Sequence, residues 1–240
     1  MSDPGPAMRT IGILGGIGPQ ATMDFEARIH RVAQQQVTQH GNAGYPPMVT
    51  VYMRHPPVLV DSAAIPVAPL VLDERLLDSA RRLGEWADLI VIPSNTPHLF
   101  LGPIREASGV TIISMIDVTV DALHSRGAKV VGLVGLGIPQ IYIDRFASEG
   151  LRVITASQPA RDDLDHSIIR LMEGAETDAD RNASRKAVEQ LRSAGAPLTV
   201  LGCTEIPLLL GEAAEADDLI NPAQVLAEAA VRFALDGSPV

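Results

Sequence analysis

The chain carries a single cysteine in 240 residues. An internal disulfide is therefore excluded, which fits a reducing, cytoplasmic compartment. Aromatic residues make up only 3%, so a core has to be assembled from Val, Ile, Leu and Ala, a composition suited to parallel sheets covered by helices. Positive charge is scarce as well: 19 Lys and Arg stand against 29 Asp and Glu, for a net charge of −10. A diffuse acidic surface without a basic cluster argues against nucleic acid and anionic membrane as partners. No apolar run reaches the ~18 residues of a membrane span, and Met1 to Met8 lacks the basic-then-apolar pattern of a secretory leader. The six histidines, at positions 30, 40, 55, 98, 124 and 166, show no ligand spacing, and there is no Cys-x-x-Cys. No metal site is expected.

What is present is an aliphatic alternation. Apolar residues make up 46% and charged residues 20%, the range of a globular chain long enough for one large or two small domains. A strand is expected over Thr10 to Leu14, ending at Gly15-Gly16-Ile17-Gly18-Pro19. Ala21, Phe25, Ile29, Val32 and Ala33 then fall three or four apart, as one buried helical stripe. Strands are expected over Val49 to Met53, Asp88 to Pro93 and Thr111 to Met115, with helices over Leu76 to Trp86 and Val118 to Ser125. The pattern restarts with a strand over Lys129 to Val134 and a helix over Tyr142 to Glu149. A strand over Arg152 to Thr155 leads to helices over Asp163 to Gly174 and Asp178 to Ser193. The last strand, Leu198 to Gly202, ends at Cys203, and Pro222 to Leu235 closes as a helix. Strands alternating with helices predict βαβ units and parallel sheets.

The restart is a repeat. Ile11-Gly12-Ile13-Leu14-Gly15 and Val131-Gly132-Leu133-Val134-Gly135 match in type at an offset of 120, which also carries Pro19-Gln20 on to Pro139-Gln140. A second pair, Val91-Ile92-Pro93-Ser94 and Val200-Leu201-Gly202-Cys203, matches at an offset of 109, which carries Leu99, Leu101 and Gly102 on to Leu208, Leu210 and Gly211. Two matches in the same order argue for an internal duplication. The expected architecture is α/β with two pseudo-symmetric lobes, each a parallel sheet flanked by helices. The first lobe takes residues 1–116 plus 212–240 and the second 117–211, with the active site in the cleft between them.

Loops after parallel strands form ligand crevices, and Ser94 and Cys203 occupy equivalent places just past their strands. A lone cysteine is more often a buried structural thiol; the repeat is what singles Cys203 out, and helix N-termini and backbone N–H groups would stabilise a thiolate there. Ser94-Asn95-Thr96-Pro97-His98 reads equally as a helix cap followed by proline and as an anion-binding turn. His98 is either a capping residue or part of the chemistry. The Gly15-Gly16-Ile17-Gly18 loop lacks both the dinucleotide pattern Gly-x-Gly-x-x-Gly and the Gly-Lys-Ser/Thr of a nucleotide P-loop. A tight turn exposing backbone N–H groups to a small ligand is expected there.

The segments Ile11 to Pro19, Pro93 to His98 and Leu201-Gly202-Cys203-Thr204-Glu205-Ile206-Pro207 together resemble the aspartate/glutamate racemase family, over almost the whole chain. The resemblance implies amino-acid racemisation without pyridoxal phosphate, metal or other cofactor, a small amino-acid-like substrate and a homodimer. In such enzymes one thiol in each lobe works on one face of the substrate α-carbon, by general acid–base catalysis with electrostatic preorganisation. Carried on to this chain, it makes Cys203 and Ser94 the catalytic pair. Gly16, Arg54, Asn95, Thr96, His98, Thr204 and Glu205 become candidates for substrate binding.

Three departures modify that expectation. Ser94 replaces the first cysteine, and a hydroxyl is a far poorer base than a thiol, so Cys203 is expected to dominate. No arginine matches the one that relatives use for a side-chain carboxylate, Arg54 being out of register, and Glu173 stands where a lysine is expected. The Gly135-Leu136-Gly137 loop lacks the threonines common in relatives. Together these disfavour aspartate and glutamate and leave a neutral or basic amino acid, or another α-substituted acid, as the expected substrate. A single-cysteine decarboxylase of the arylmalonate type and an amino-acid-binding protein without catalysis are the alternatives.

Overall fold

The computed structural model describes residues 8–41, 43–61, 67–137 and 139–237. The chain divides into two compact units, Met1–Met115 with Leu226–Val240, and Ile116–Val225.

In the first unit, β1 (Ile11–Gly15) is flanked by β2 (Met48–Tyr52) and β3 (Leu89–Val91), with β4 (Thr111–Ile113) beyond β3. All four strands run parallel in the order β2-β1-β3-β4. Every residue of β1 is buried, as a central strand between helices requires. Helix α1 (Pro19–Gln36) opens with proline in its first turn, where no N–H is needed. The stripe read from the sequence is its buried face: Ala21, Phe25, Ile29, Val32 and Ala33 are all at 2% exposure or less. Each fully buried Phe or Ile contributes about 1.5–3 kcal/mol by leaving water. Helix α2 (Glu74–Gly84) starts at Asp73, whose carboxylate accepts the Arg75 N–H at 2.9 Å, and buries Leu76, Ala80 and Leu83. A 3₁₀ turn, Thr96–Phe100, runs into α3 (Leu101–Ser108), which stops at Gly109 in the left-handed conformation.

The second unit repeats this plan. Helix α4 (Met115–Ser125) enters it, and β5 (Val130–Val134), β6 (Arg152–Thr155), β7 (Thr199–Leu201) and β8 (Leu219–Ile220) pair in the order β6-β5-β7-β8, again parallel. The remaining elements are α5 (Gln140–Ser148), α6 (Gln158–Met172), α7 (Asp178–Ser193) and α8 (Ile206–Leu210); α9 (Pro222–Asp236) follows and from Leu226 belongs to the first unit. The duplication extends to register. Gly12 pairs with Ile90 and Ile13 with Val91; their counterparts Gly132 and Leu133 pair with Thr199 and Val200. The two offsets, found separately in the sequence, are joined by one hydrogen-bond ladder.

Most predicted elements lie within a few residues of the observed ones. Helix α3, the short helix α8 and strand β8 went unpredicted. Strand β8 accounts for the largest difference in boundary. By pairing Thr199 with Leu219 and Val200 with Ile220, it draws the segment after 211 into the second unit, so the chain returns to the first at Leu226 and not at 212. Among the described residues, no helix is long and apolar enough to cross a membrane.

Candidate active site

Cys203 follows β7 directly, after Gly202, whose N–H donates to Val134 O at 2.6 Å. The thiol is buried and belongs to the apolar cluster that includes Val134, Ile168, Leu171 and Ile206. It donates to Glu205 Oε2 at 3.0 Å, and the Thr204 hydroxyl donates to the same oxygen at 3.0 Å. Burial first, and then the Glu205 charge, push the Cys203 thiol well above its ordinary range; backbone N–H groups of Glu205 and Leu136 face the sulfur and oppose this. Backbone N–H groups thus face the sulfur, but burial, together with the Glu205 carboxylate, overrides them. Glu205 and Thr204, candidates for substrate contact, are occupied with the thiol and with each other.

Replacing Glu205 with glutamine removes the repelling charge while keeping an acceptor for the thiol. The Cys203 pKa falls, and the thiolate fraction at a fixed pH rises by about tenfold for each unit of that fall. Alkylation by a small thiol reagent at pH 7.5 is expected to speed up accordingly. An unchanged or slower rate would show that the Glu205 charge does not govern the thiol.

Ser94 stands at the equivalent place in the first unit, after Ile92 and Pro93, and is half-buried. Its N–H donates to Ile92 O at 2.8 Å. No described group bonds its hydroxyl, so nothing here acts on Ser94 as Glu205 acts on Cys203. His98 does not face that hydroxyl. Its Nε2 accepts the Met115 N–H at 2.9 Å, which leaves Nδ1 to carry the ring proton and donate to Ser94 O at 2.8 Å. The ring is buried and both nitrogens serve backbone atoms, so it contacts no substrate as it stands. Asn95 stands at the N-cap of the 3₁₀ turn and makes no capping bond with its side chain, and Asn95 and Thr96 are both half-buried.

Gly16 is a fixed turn residue. Its φ is +72°, and a Cβ there would lie 2.4 Å from Tyr52 Cα. Its N–H donates to Thr22 Oγ1 at 2.9 Å, and Thr22 donates in turn to Gly18 O at 2.9 Å. The N–H groups of Ile17 and Gly18 are the ones left without a bond among the described residues. Arg54 is closer to this loop than its sequence position suggested. Its N–H donates to Gly16 O at 3.1 Å, its φ is +60°, and its guanidinium lies 5.4 Å from the Tyr52 ring centre. Such a backbone conformation is costly for a residue with a side chain, and Arg54 is exposed with no ion pair among the described residues.

Across the second unit, the Gly137 N–H donates to Asp165 Oδ1 at 2.7 Å, tying the loop after β5 to α6. Ile138 lies outside the described residues. Leu136, in the same loop, is 47% exposed, and Ile169 and Met172, on the Asp165 face of α6, are 45% and 44% exposed. Glu173 follows at the end of the helix. Asp165 and Thr22 were absent from the sequence reading, because backbone donors and long-range braces leave no residue-type signal. No group of three or more His, Cys, Asp or Glu able to hold a metal ion occurs among the described residues.

Comparison with known proteins agrees with this architecture. The model of the Asp/Glu/hydantoin racemase family matches residues 14–230. A broad-specificity amino-acid racemase of Bacillus subtilis (strain 168) is 27% identical over 124 residues, which is 51% of this chain and 53% of the relative. The match thus spans about half the length of that relative. Among solved structures, Picrophilus torridus aspartate racemase superimposes with a TM-score of 0.75 at 20% identity, covering 94% of each chain. An aspartate racemase homologue from Pyrococcus horikoshii OT3 gives 0.73 at 20% identity, covering 95% of this chain and 99% of the other. At such identity these two structures speak to the fold.

Proposed function

Because the chain belongs to the Asp/Glu/hydantoin racemase family, we propose that it is an amino-acid racemase or epimerase working without a cofactor, with Cys203 as its principal acid–base group. The observation that carries this reading is the Cys203–Glu205 hydrogen bond at the end of β7, in the position that the repeat pairs with Ser94. Glu205 takes the thiol proton, the thiolate removes the α-proton, and the carbanion is reprotonated on its other face by the Ser94 hydroxyl; Ser94 recovers a proton from water, and Glu205 gives its proton to the hydroxide so formed. The negative charge that develops on the substrate carboxylate is met by Arg54 and by the N–H groups of Ile17 and Gly18, with Asn95 and Thr96 completing the cradle.

We assign the substrate a neutral aliphatic side chain. Leu136, whose backbone N–H faces the thiol, offers an exposed apolar side chain at that end of the second unit, while Glu205 would repel a second carboxylate. Arg54 is assigned to the α-carboxylate.

The test is an α-proton exchange screen in deuterated water, run on each enantiomer of the aliphatic, basic and acidic amino acids, with configuration followed by chiral separation. Fast exchange from one enantiomer of an aliphatic amino acid, with slower inversion, is the expected result. Exchange confined to aspartate and glutamate would overturn the substrate assignment. Carbon dioxide release from substituted malonates without any exchange would favour the single-thiol decarboxylase, a reading that the protonated resting thiol supports. Amino-acid binding with neither activity would leave a binding protein.

A further inference from the structure

We propose that His98 is a positioning residue for Ser94, setting the proton-donating face of the site without touching substrate; this rests on the two-face reading of Ser94 and Cys203. The imidazole is buried and bridges two backbone segments. Nδ1–H donates to Ser94 O at 2.8 Å, and Nε2 accepts the N–H of Met115, 17 residues further on, at 2.9 Å. Met115 begins α4, immediately after the β4 turn. His98 thus ties the loop holding Ser94 to the start of the next helix.

The neutral Nδ1–H tautomer is the one form that satisfies both partners. A proton on Nε2 would face the Met115 N–H, donor against donor. The tie acts on the backbone of the Ser94 loop, whose local turn is closed by the Ser94 N–H on Ile92 O and the His98 N–H on Asn95 O. The Ser94 hydroxyl itself makes no bond to a described group, so its placement follows that backbone. The second unit has no counterpart, since the repeat places Pro207 opposite His98. There the thiol is held through its own side chain by Glu205. The two faces are therefore oriented by different devices, one acting on the backbone carbonyl and one on the reacting atom. Substitution of His98 acts on the Ser94 face alone.

Two rates separate the faces. Exchange with retention, from the enantiomer whose α-proton faces Cys203, needs the thiol alone. Inversion also needs Ser94. His98→Leu is expected to lower inversion by about tenfold or more, within the range that a positioned acid or base contributes, while retentive exchange stays within about twofold. His98→Asn retains a donor at the Nδ1 position and restores much of the inversion; His98→Gln retains only an acceptor toward Met115 and restores less. Parallel loss of both rates in all three variants would assign His98 to folding alone, and unchanged inversion in His98→Leu would remove it from the site. A readout independent of activity is the imidazole ¹⁵N spectrum of the native protein. It is expected to report the Nδ1–H tautomer, and the Nε2–H tautomer would overturn the proposal. Failure of the underlying reading is separate, since it appears as retentive exchange that survives Cys203→Ala.

Discussion

Cys203→Ala is expected to abolish α-proton exchange from both enantiomers while leaving the fold intact. A well-placed acid–base group contributes roughly 10²- to 10⁴-fold, and here both directions pass through the same sulfur. An enantiomer that loses its proton to Cys203 can no longer start, and one deprotonated on the Ser94 face can no longer finish by inversion. The fold should tolerate the change because the thiol is small and its partner keeps another donor: Glu205 Oε2 still accepts from Thr204 Oγ1 at 3.0 Å. Circular dichroism and thermal unfolding close to those of the parent, combined with exchange near background, would be the full expected result. Exchange at the parental rate would remove Cys203 from the mechanism and with it the proposed function.

Ser94→Cys is expected to act in the opposite direction. The change replaces a hydroxyl by a thiol whose ordinary pKa lies near ~8.5, at a half-buried position where no described side chain bonds the existing hydroxyl. Inversion should rise by about tenfold or more, since a thiol is much the better proton donor and base at neutral pH. The form of the effect is constrained. Enantiomers have equal free energy, so kcat/KM for racemisation is the same in both directions in parent and variant alike. The asymmetry of a Cys/Ser pair shows instead in the ratio of total α-proton exchange to inversion, which is large for one enantiomer and near one for the other. Ser94→Cys should bring the large ratio down. An unchanged ratio would mean that Ser94 does not hold the second catalytic position.

How far the sequence leads depends on the range of the interaction involved. The central strands β1 and β5 were legible because each is a short aliphatic run closed by glycine, and the repeat was legible because both offsets preserve residue type. Their shared register could only be confirmed by the ladder that joins Gly12 to Ile90 and Gly132 to Thr199. Helix α3 was hidden by Gly102 and Pro103 in its first turn, two residues that usually signal its absence. Strand β8 has two residues, too few for any periodicity, yet it moved the unit boundary to Leu226. In the site, Cys203 and Ser94 were visible as reactive side chains following strands. The group that each neighbour faces was not. Glu205 could be read as a ligand contact until its oxygen was found on the thiol, and His98 until its nitrogens were found on Ser94 O and on the Met115 N–H. Gly16 was chosen for its backbone, but Thr22, six residues away, takes the N–H in question. Such hydrogen bonds depend on where helices turn back on the sheet, and residue type does not encode that.

The two units also differ in when each can be completed on the ribosome. The second is one unbroken stretch, Ile116–Val225, whereas the first is closed by Leu226–Val240. Its closing helix is integral: the Arg9 N–H donates to Ala234 O at 2.9 Å, and Ala230, Val231 and Ala234 are buried. The half translated first is therefore finished last. Until α9 emerges, the early strands wait with their closing helix unmade, while the later half already holds every residue of its own core. Compaction of that later half shortens the effective distance over which the first unit must close, and so reduces the entropy lost in doing so.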